Sequence, residues 1–434
     1  MRNKINTTRF FQEKGWLKLD NAAKLFPAIV SNDLTSVFRI TAYLKEPVKY
    51  TAIKEAVEIA ARRFPYFSVS LGSGLFWHFL EFISQPPRIQ VEEEIPCTAF
   101  ALKRKNEPLY RIIIKANRIS VEFIHILTDG GGALEYLKSL LYTYLTIAGK
   151  HIGYPDNIIL PDTDVSEEEL EDGYNKFFRK LPPPVKLVKA WHLPFRLNER
   201  PRLRIISGEM NVKEVLNLTH RHNVSLTEYL VSVYLFSLQE IFISNKSKGK
   251  KGKKVLRVEV PVNMRKKFPL RTMRNFSLFV LPELDLRLGT YTFEEVLMSV
   301  HHQLQMSTDI KQISRFLSSN VSYEKLYIVR VLPLFIKKMV IAAIYRWLAS
   351  KRFTGLITNI GIVTLPGEMN DMVDAFELIS PPPNTKVKVA SAIVSYKDKL
   401  RISFSNITQC PELERRFFRH FTLAGIHVKI LNKN

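Results

Sequence analysis

Two cysteines in 434 residues, Cys97 and Cys410, supply neither a disulfide framework nor the paired spacing of a zinc finger. Such sparse usage suits a reducing compartment, so the expected location is cytoplasmic. A secretory signal is not expected either: Met1-Arg-Asn-Lys-Ile-Asn-Thr-Thr carries positive charge with no apolar stretch behind it. No apolar run approaches the ~18 residues expected of a spanning helix. The nearest, residues 326–349, is interrupted by Arg330, Pro333, Lys337, Lys338 and Arg346. That pattern fits a helix or helix pair with one buried face, or a segment lying on a membrane surface. Apolar helices in cores are the commoner case, so a buried face is expected. There is no P-loop, no GxSxG elbow and no dinucleotide fingerprint. His220-Arg-His222 and His301-His302 lack cysteine or carboxylate partners at ligand spacing, which leaves no metal site in view.

What is present is a globular composition, 46% apolar and 11% aromatic, in a chain long enough for roughly two or three domains. Sixty-four basic against 41 acidic residues give a net charge of +23, which favours anionic partners. Anionic lipid and a phosphate-bearing co-substrate both qualify. Nucleic acid is not expected, because no RNP-like, zinc-finger or homeodomain pattern occurs. The densest basic run, Lys246-Ser-Lys-Gly-Lys-Lys-Gly-Lys-Lys254, reads as a solvated loop between a helix and a strand.

Residues 34–46 alternate as a half-buried strand does, and 50–63 place Ile53, Ala56, Val57, Ala60 and Ala61 at helical spacing. Hairpins follow at 67–81, around Gly72-Ser-Gly74, and at 109–125, across Ala116-Asn117-Arg118. Leu134, Leu137, Leu140, Leu141 and Leu145 mark an amphipathic helix reaching about residue 148. Pro182-Pro-Pro184 breaks the pattern, so the expected division is 1–185, a linker at 186–201, and 202–434. The second half repeats the layout. Strands are expected at 203–210, 256–262, 355–362, 387–396 and 400–406, and helices at 212–222, 225–242, 293–313 and 411–424. Ser225 and Glu228 form a capping-box signature at the start of the second of these helices.

One stretch reads as chemistry: His125-Ile-Leu-Thr-Asp129-Gly130-Gly131-Gly132, where an apolar strand gives way to the long helix. Strand parity puts Ile119, Val121, Phe123 and His125 on one face, so the histidine ends an inward row. An imidazole titrates near neutrality, and a modest shift leaves it able to take a proton. Asp129 would fix the geometry by pairing with an arginine, or would simply cap the following helix; the glycines permit a tight turn and close approach of a substrate.

A strand–HxxxDG–helix about 125 residues into a two-part α/β chain resembles the chloramphenicol-acetyltransferase-like superfamily. That superfamily includes non-ribosomal peptide condensation domains, plant BAHD acyltransferases, polyketide-associated acyltransferases and alcohol acetyltransferases. Glu259-Val-Pro261-Val-Asn-Met-Arg265 with Arg274-Asn275-Phe276, and Ile357-Thr-Asn359-Ile-Gly361, resemble later segments of the pattern. Together these cover nearly the whole chain from about residue 15.

The resemblance implies an α/β (α+β) fold of two similar subdomains, each a mixed sheet flanked by helices, with a channel between them. It implies transfer from acyl-CoA to a small alcohol, without a tightly bound cofactor or a covalent acyl-enzyme. Carried over, His125 is the general base, while Asp129 is structural and paired with an arginine, for which Arg265 is the choice. Gly130 keeps the channel open, and Asn359 either contacts the substrate or oxyanion or is a buried structural residue. Ile124 stands where condensation domains carry a first histidine, which tilts the reading toward O-acyl transfer; the BAHD "DFGWG" segment is absent. The other readings are transfer from the phosphopantetheine of an acyl carrier protein, and a non-catalytic binding or membrane-surface member of the fold. For the donor phosphates the basic candidates are the Lys246–Lys254 loop and Lys103-Arg-Lys105. Peripheral contact with an anionic membrane, through residues 326–349, is a further expectation.

Overall fold

The computed structural model describes residues 15–91, 95–155, 157–185, 187–245, 254–347 and 351–432. Most of the Lys246–Lys254 run lies outside them. In chain order, the elements that build the site begin with the one-turn helix α1 (Phe26–Ile29), strand β1 (Val37–Leu44) and helix α2 (Tyr50–Arg63). The hairpin β2 (Tyr110–Lys115) and β3 (Arg118–Ile124) leads into helix α3 (Gly130–Ile147). After the proline-bearing connection come strand β4 (Arg204–Asn211), helix α4 (Leu226–Ser244), and strands β5 (Val255–Asn263) and β6 (Ser277–Val280). The helix pair α5 (Tyr327–Val331) and α6 (Leu334–Trp347) precedes strands β7 (Gly355–Ile362), β8 (Val373–Ile379), β9 (Val389–Tyr396) and β10 (Lys399–Asn406).

Two large mixed sheets result. One runs β8-β1-β3-β2 and ends on Ile89–Val91, which pairs in parallel with β2. The other runs β6-β5-β7-β9-β10-β4 and ends on Lys429–Asn432, with β7 parallel to both its neighbours. The expected hairpin at 67–81 is present as Val69–Ser73 and His78–Phe82, but in a small separate sheet with Trp16–Lys18. Residues 202–434 supply a strand to the first sheet: β8 pairs antiparallel with β1 from Val373↔Leu44 to Ile379↔Arg39. Glu377 on β8 accepts from Tyr43 Oη (2.8 Å) and Ser207 Oγ (2.9 Å), tying the two sheets together through buried polar groups.

β3 is buried on both faces. Phe123 packs on Tyr136 of α3, as parity predicts. The opposite face is not solvated either: Glu122, fully buried, accepts from Arg39 Nε (2.7 Å), Arg111 Nε (2.8 Å) and the Cys97 backbone N–H (2.7 Å). A buried carboxylate needs such partners, because an unpaired charge away from water is costly.

Two expectations need correction. The region 293–313 is not one helix but two, Phe293–Ser307 and Ile310–Lys325, because Asp309 accepts from the Lys311 N–H and starts a new cap. Of segment 326–349, the described residues 326–347 form a helix pair as expected, but its apolar side does not enter a core: Lys337 is its one fully buried residue among those described. Among the described residues, the one helix long and apolar enough to cross a membrane is instead α4, and it lies buried at the centre of the second core. Its capping box is formed as the sequence predicts, with Ser225 Oγ accepting from Glu228 N–H and Glu228 Oε2 accepting from Ser225 N–H.

Candidate active site

A cavity of about 2390 Å³ runs between the two halves and is lined from both. Phe26, Phe38, His125 and Gly130 face it from the first half, and Glu259, Asn263, Thr358 and Asn359 from the second.

His125 sits one residue past β3, at the first position of a turn, and its backbone N–H still donates to Ser36 O (3.0 Å). The half-buried ring lies between two aromatics, Phe26 (centroids 5.4 Å apart, planes at 15°) and Phe38 (4.7 Å, 36°). Burial against these rings lowers the histidine pKa; the Asp129 charge and hydrogen bonds with the Asn275 side chain and the Thr128 backbone oppose that but do not reverse it. Burial between the two rings thus favours the neutral imidazole.

Asp129 has two tasks, because its two oxygens point in different directions. Oδ1 accepts from the N–H groups of Gly131 (3.1 Å) and Gly132 (3.2 Å), capping α3. Oδ2 accepts from Arg265 Nη1 (2.9 Å) and from Phe276 N–H (2.8 Å). Burial works against ionisation here, yet Arg265 and these N–H donors hold the carboxyl below its ordinary range. Helix cap and arginine pairing, read from the sequence as alternatives, coexist.

Arg265 is itself fixed, donating from Nε to Thr272 O (2.7 Å) and from Nη2 to Arg274 O. Thr128 Oγ1 donates to Met273 O at 2.6 Å. The start of α3 is thus pressed onto residues 272–276 of the second half. Gly132 is required by that approach: a Cβ would lie 2.2 Å from Thr128 Oγ1 and 2.5 Å from Met273 O. Gly130 looks across to Ile360, where a Cβ would come within 3.3 Å of Cδ1. Asn359 donates from Nδ2 to Thr227 Oγ1 (3.1 Å) and accepts from Gly361 N–H (2.9 Å), with Gly361 at φ +91° where the β7 register shifts.

The structure therefore brings His125, Asp129, Gly130, Arg265 and Asn359 to one cavity. Lys103, Arg104 and Lys105 do not line it; the basic residues that do include Lys266, Lys267 and Arg271. Their neighbour Arg265 was singled out from the sequence, but which way the following loop turns was not legible. Phe26 was also missed, since nothing marks Leu25-Phe26-Pro27 as facing a histidine more than 90 residues away. Asn275 was read only as part of a segment. Its Nδ2 donates to His125 O (2.9 Å) and to the buried Asp20 (3.1 Å). A second titratable group faces the cavity: Glu259, whose carboxyl burial pushes up to about 7. His301, without an evident partner in the sequence, meets Glu228 Oε2 at 3.2 Å beside the α4 cap.

This is the fold of the chloramphenicol-acetyltransferase-like acyltransferases. The chain shares it with F. sporotrichioides TRI101 complexed with coenzyme A and T-2 (TM-score 0.62, 12% identity, covering 96% of this chain and 100% of that one). A wax ester synthase/diacylglycerol acyltransferase from Marinobacter aquaeolei matches at TM-score 0.54 and 12% identity, over 94% of this chain and 100% of its own. The condensation domain of the Monacolin K polyketide synthase MokA matches at TM-score 0.56 and 9% identity, over 94% and 95%. No family model and no curated protein sequence matches the chain.

Proposed function

We propose that the protein is an acyltransferase that moves an acyl group from acyl-CoA to an acceptor hydroxyl, with His125 as general base. The observation that carries this reading is the placement of His125, sandwiched between Phe26 and Phe38 and opening on a cavity that both halves line. Asn275 commits its Nδ2 to His125 O and Asp20, so its side-chain oxygen and the Thr128 carbonyl are the acceptors beside the ring for one imidazole N–H. The other ring nitrogen then keeps its lone pair for the acceptor.

That nitrogen takes the hydroxyl proton as the alkoxide oxygen attacks the thioester carbonyl. Collapse of the tetrahedral intermediate breaks the C–S bond, and the imidazolium returns the proton to the leaving thiolate. No covalent acyl-enzyme forms. Asp129 cannot share this proton, because both its oxygens accept elsewhere; with Arg265 it holds the two halves in register around His125. Asn359 retains one N–H beyond its bond to Thr227, which makes it a donor toward the developing oxyanion. Lys266, Lys267 and Arg271 would face the phosphates of the donor. The complex of TRI101 with coenzyme A supports the choice of donor. Transfer from a carrier-protein phosphopantetheine is the second reading, supported by the likeness to a condensation domain.

Thiol release by the purified protein, with short-, medium- and long-chain acyl-CoAs crossed against alcohols and amines, tests the reading. Turnover with at least one acyl-CoA and an alcohol is expected. Silence with every CoA, together with turnover of a loaded carrier protein, would replace the donor. The pH profile gives a second check. A depressed histidine pKa means the base form is lost only on acidification, so kcat/KM should be flat near neutrality and fall below the ordinary imidazole value of 6.5. Glu259→Gln should leave that acid limb in place; if the limb disappears, the titrating group is Glu259 and not His125.

A further inference from the structure

The helix pair α5–α6 is inverted relative to an ordinary surface helix. On α6, Phe335 (67% exposed), Met339 (70%) and Trp347 (69%) face outward, and on α5 so do Tyr327 (79%) and Ile328 (68%). The ammonium of Lys337 points the other way, donating to Phe76 O (2.8 Å) and standing 3.6 Å over the Trp77 ring. The neighbouring hairpin turn extends the apolar face with Leu75, whose carbonyl accepts from Leu334 N–H at 2.9 Å. Contiguous exposed apolar side chains of this kind mark a surface that is covered in use.

Its charge indicates by what. From Lys325 to Arg352 the chain carries seven basic residues (Lys325, Arg330, Lys337, Lys338, Arg346, Lys351 and Arg352) and no acidic one. Lys325, Arg330, Arg346 and Arg352 are exposed beside the apolar face. Two copies meeting through this face would bring like charges together, whereas anionic headgroups complement it. Tyr327 and Trp347 are residue types that settle at the boundary between headgroups and acyl chains. The face is also continuous with the cavity: Val340 and Ile344 are exposed and line it as well. α6 packs on α1, whose Phe26 stacks on His125.

We propose that α5 and α6 dock the protein on an anionic bilayer surface, and that a lipophilic acceptor enters the cavity from that bilayer past Val340 and Ile344. The second clause rests on the acyl-transfer reading; the first does not.

Flotation tests it, using vesicles of phosphatidylcholine alone or mixed with equimolar phosphatidylglycerol, at low and high salt. Binding is expected to the mixed vesicles at low salt. The double variant Phe335→Asp/Met339→Asp should partition at least about tenfold more weakly with an unchanged melting temperature, since both side chains are exposed in the free protein. Arg330→Glu should weaken binding to the anionic vesicles only. Absence of wild-type flotation at low salt, or equal flotation of the double variant, would overturn the proposal. So would a lipid-free dimer, seen by sedimentation equilibrium, that the double variant dissociates. Flotation by a protein that turns over no acyl-CoA would support the docking surface while sinking acyl-CoA transfer and, with it, the entry of an acceptor from the bilayer.

Discussion

His125→Ala is expected to lower kcat for acyl transfer by on the order of 10²–10⁴-fold while leaving the fold and donor affinity intact. The size follows from removing the group that accepts the hydroxyl proton in the transition state. What survives is the orientation supplied by the cavity. Stability should fall only modestly, because the ring, although stacked on Phe26 and Phe38, is half-buried and lines an open cavity; its backbone bonds to Ser36 and Asn275 are retained. The checks are thiol-release kinetics beside thermal unfolding. An Ala variant that turns over at the wild-type rate would remove His125 from the chemistry, and another group facing the cavity, such as Glu259, would then have to serve as the base.

Asp129→Asn should fail for a different reason. All four groups that face the carboxylate are donors: Gly131 N–H, Gly132 N–H, Arg265 Nη1 and Phe276 N–H. An asparagine amide must turn its NH₂ toward one pair of them, and Arg265 loses its counter-charge. Breaking a buried pair from one side costs on the order of 3–5 kcal/mol. The variant should unfold at lower denaturant concentration and lose activity through misplacement of His125. The pH dependence carries the sign of the mechanism. The folded carboxyl titrates below its unfolded value of 3.8, so the wild-type advantage is complete above that value and is lost as pH falls through the folded pKa. Equal stability of the two proteins at pH 7 would refute the structural role of Asp129.

These two variants separate what one sequence motif combines. HxxxDG marks a place, and residues 125 and 129 are close in the chain, but they take different partners: His125 stacks on Phe26 and Phe38, while Asp129 binds the first N–H groups of α3 and Arg265. Local sequence did determine a good deal. Parity along 119–125 turns His125 toward the apolar side, and capping boxes locate helix starts, as Ser225 and Glu228 do for α4. Such signals are legible because they depend on neighbours within a few residues. The choice of Arg265 as partner came from likeness to a known pattern, and the 2.9 Å bond to Asp129 now stands behind the pairing.

Only the tertiary structure decided the rest, because it depends on residues far apart in the chain. Phe26 and Phe38 close on His125 from either side, and Asn275 arrives 150 positions later to hold its carbonyl. β8 leaves the second half of the chain to complete the first sheet, a pairing that no periodicity announces. The clearest divergence is segment 326–349, whose apolar composition predicts burial. A hydrophobic helix must cover its face against something, but its sequence does not say whether that is a core, another protein or a bilayer. Here the core is already filled by α4, and the apolar face of α6 is turned outward beside the cavity.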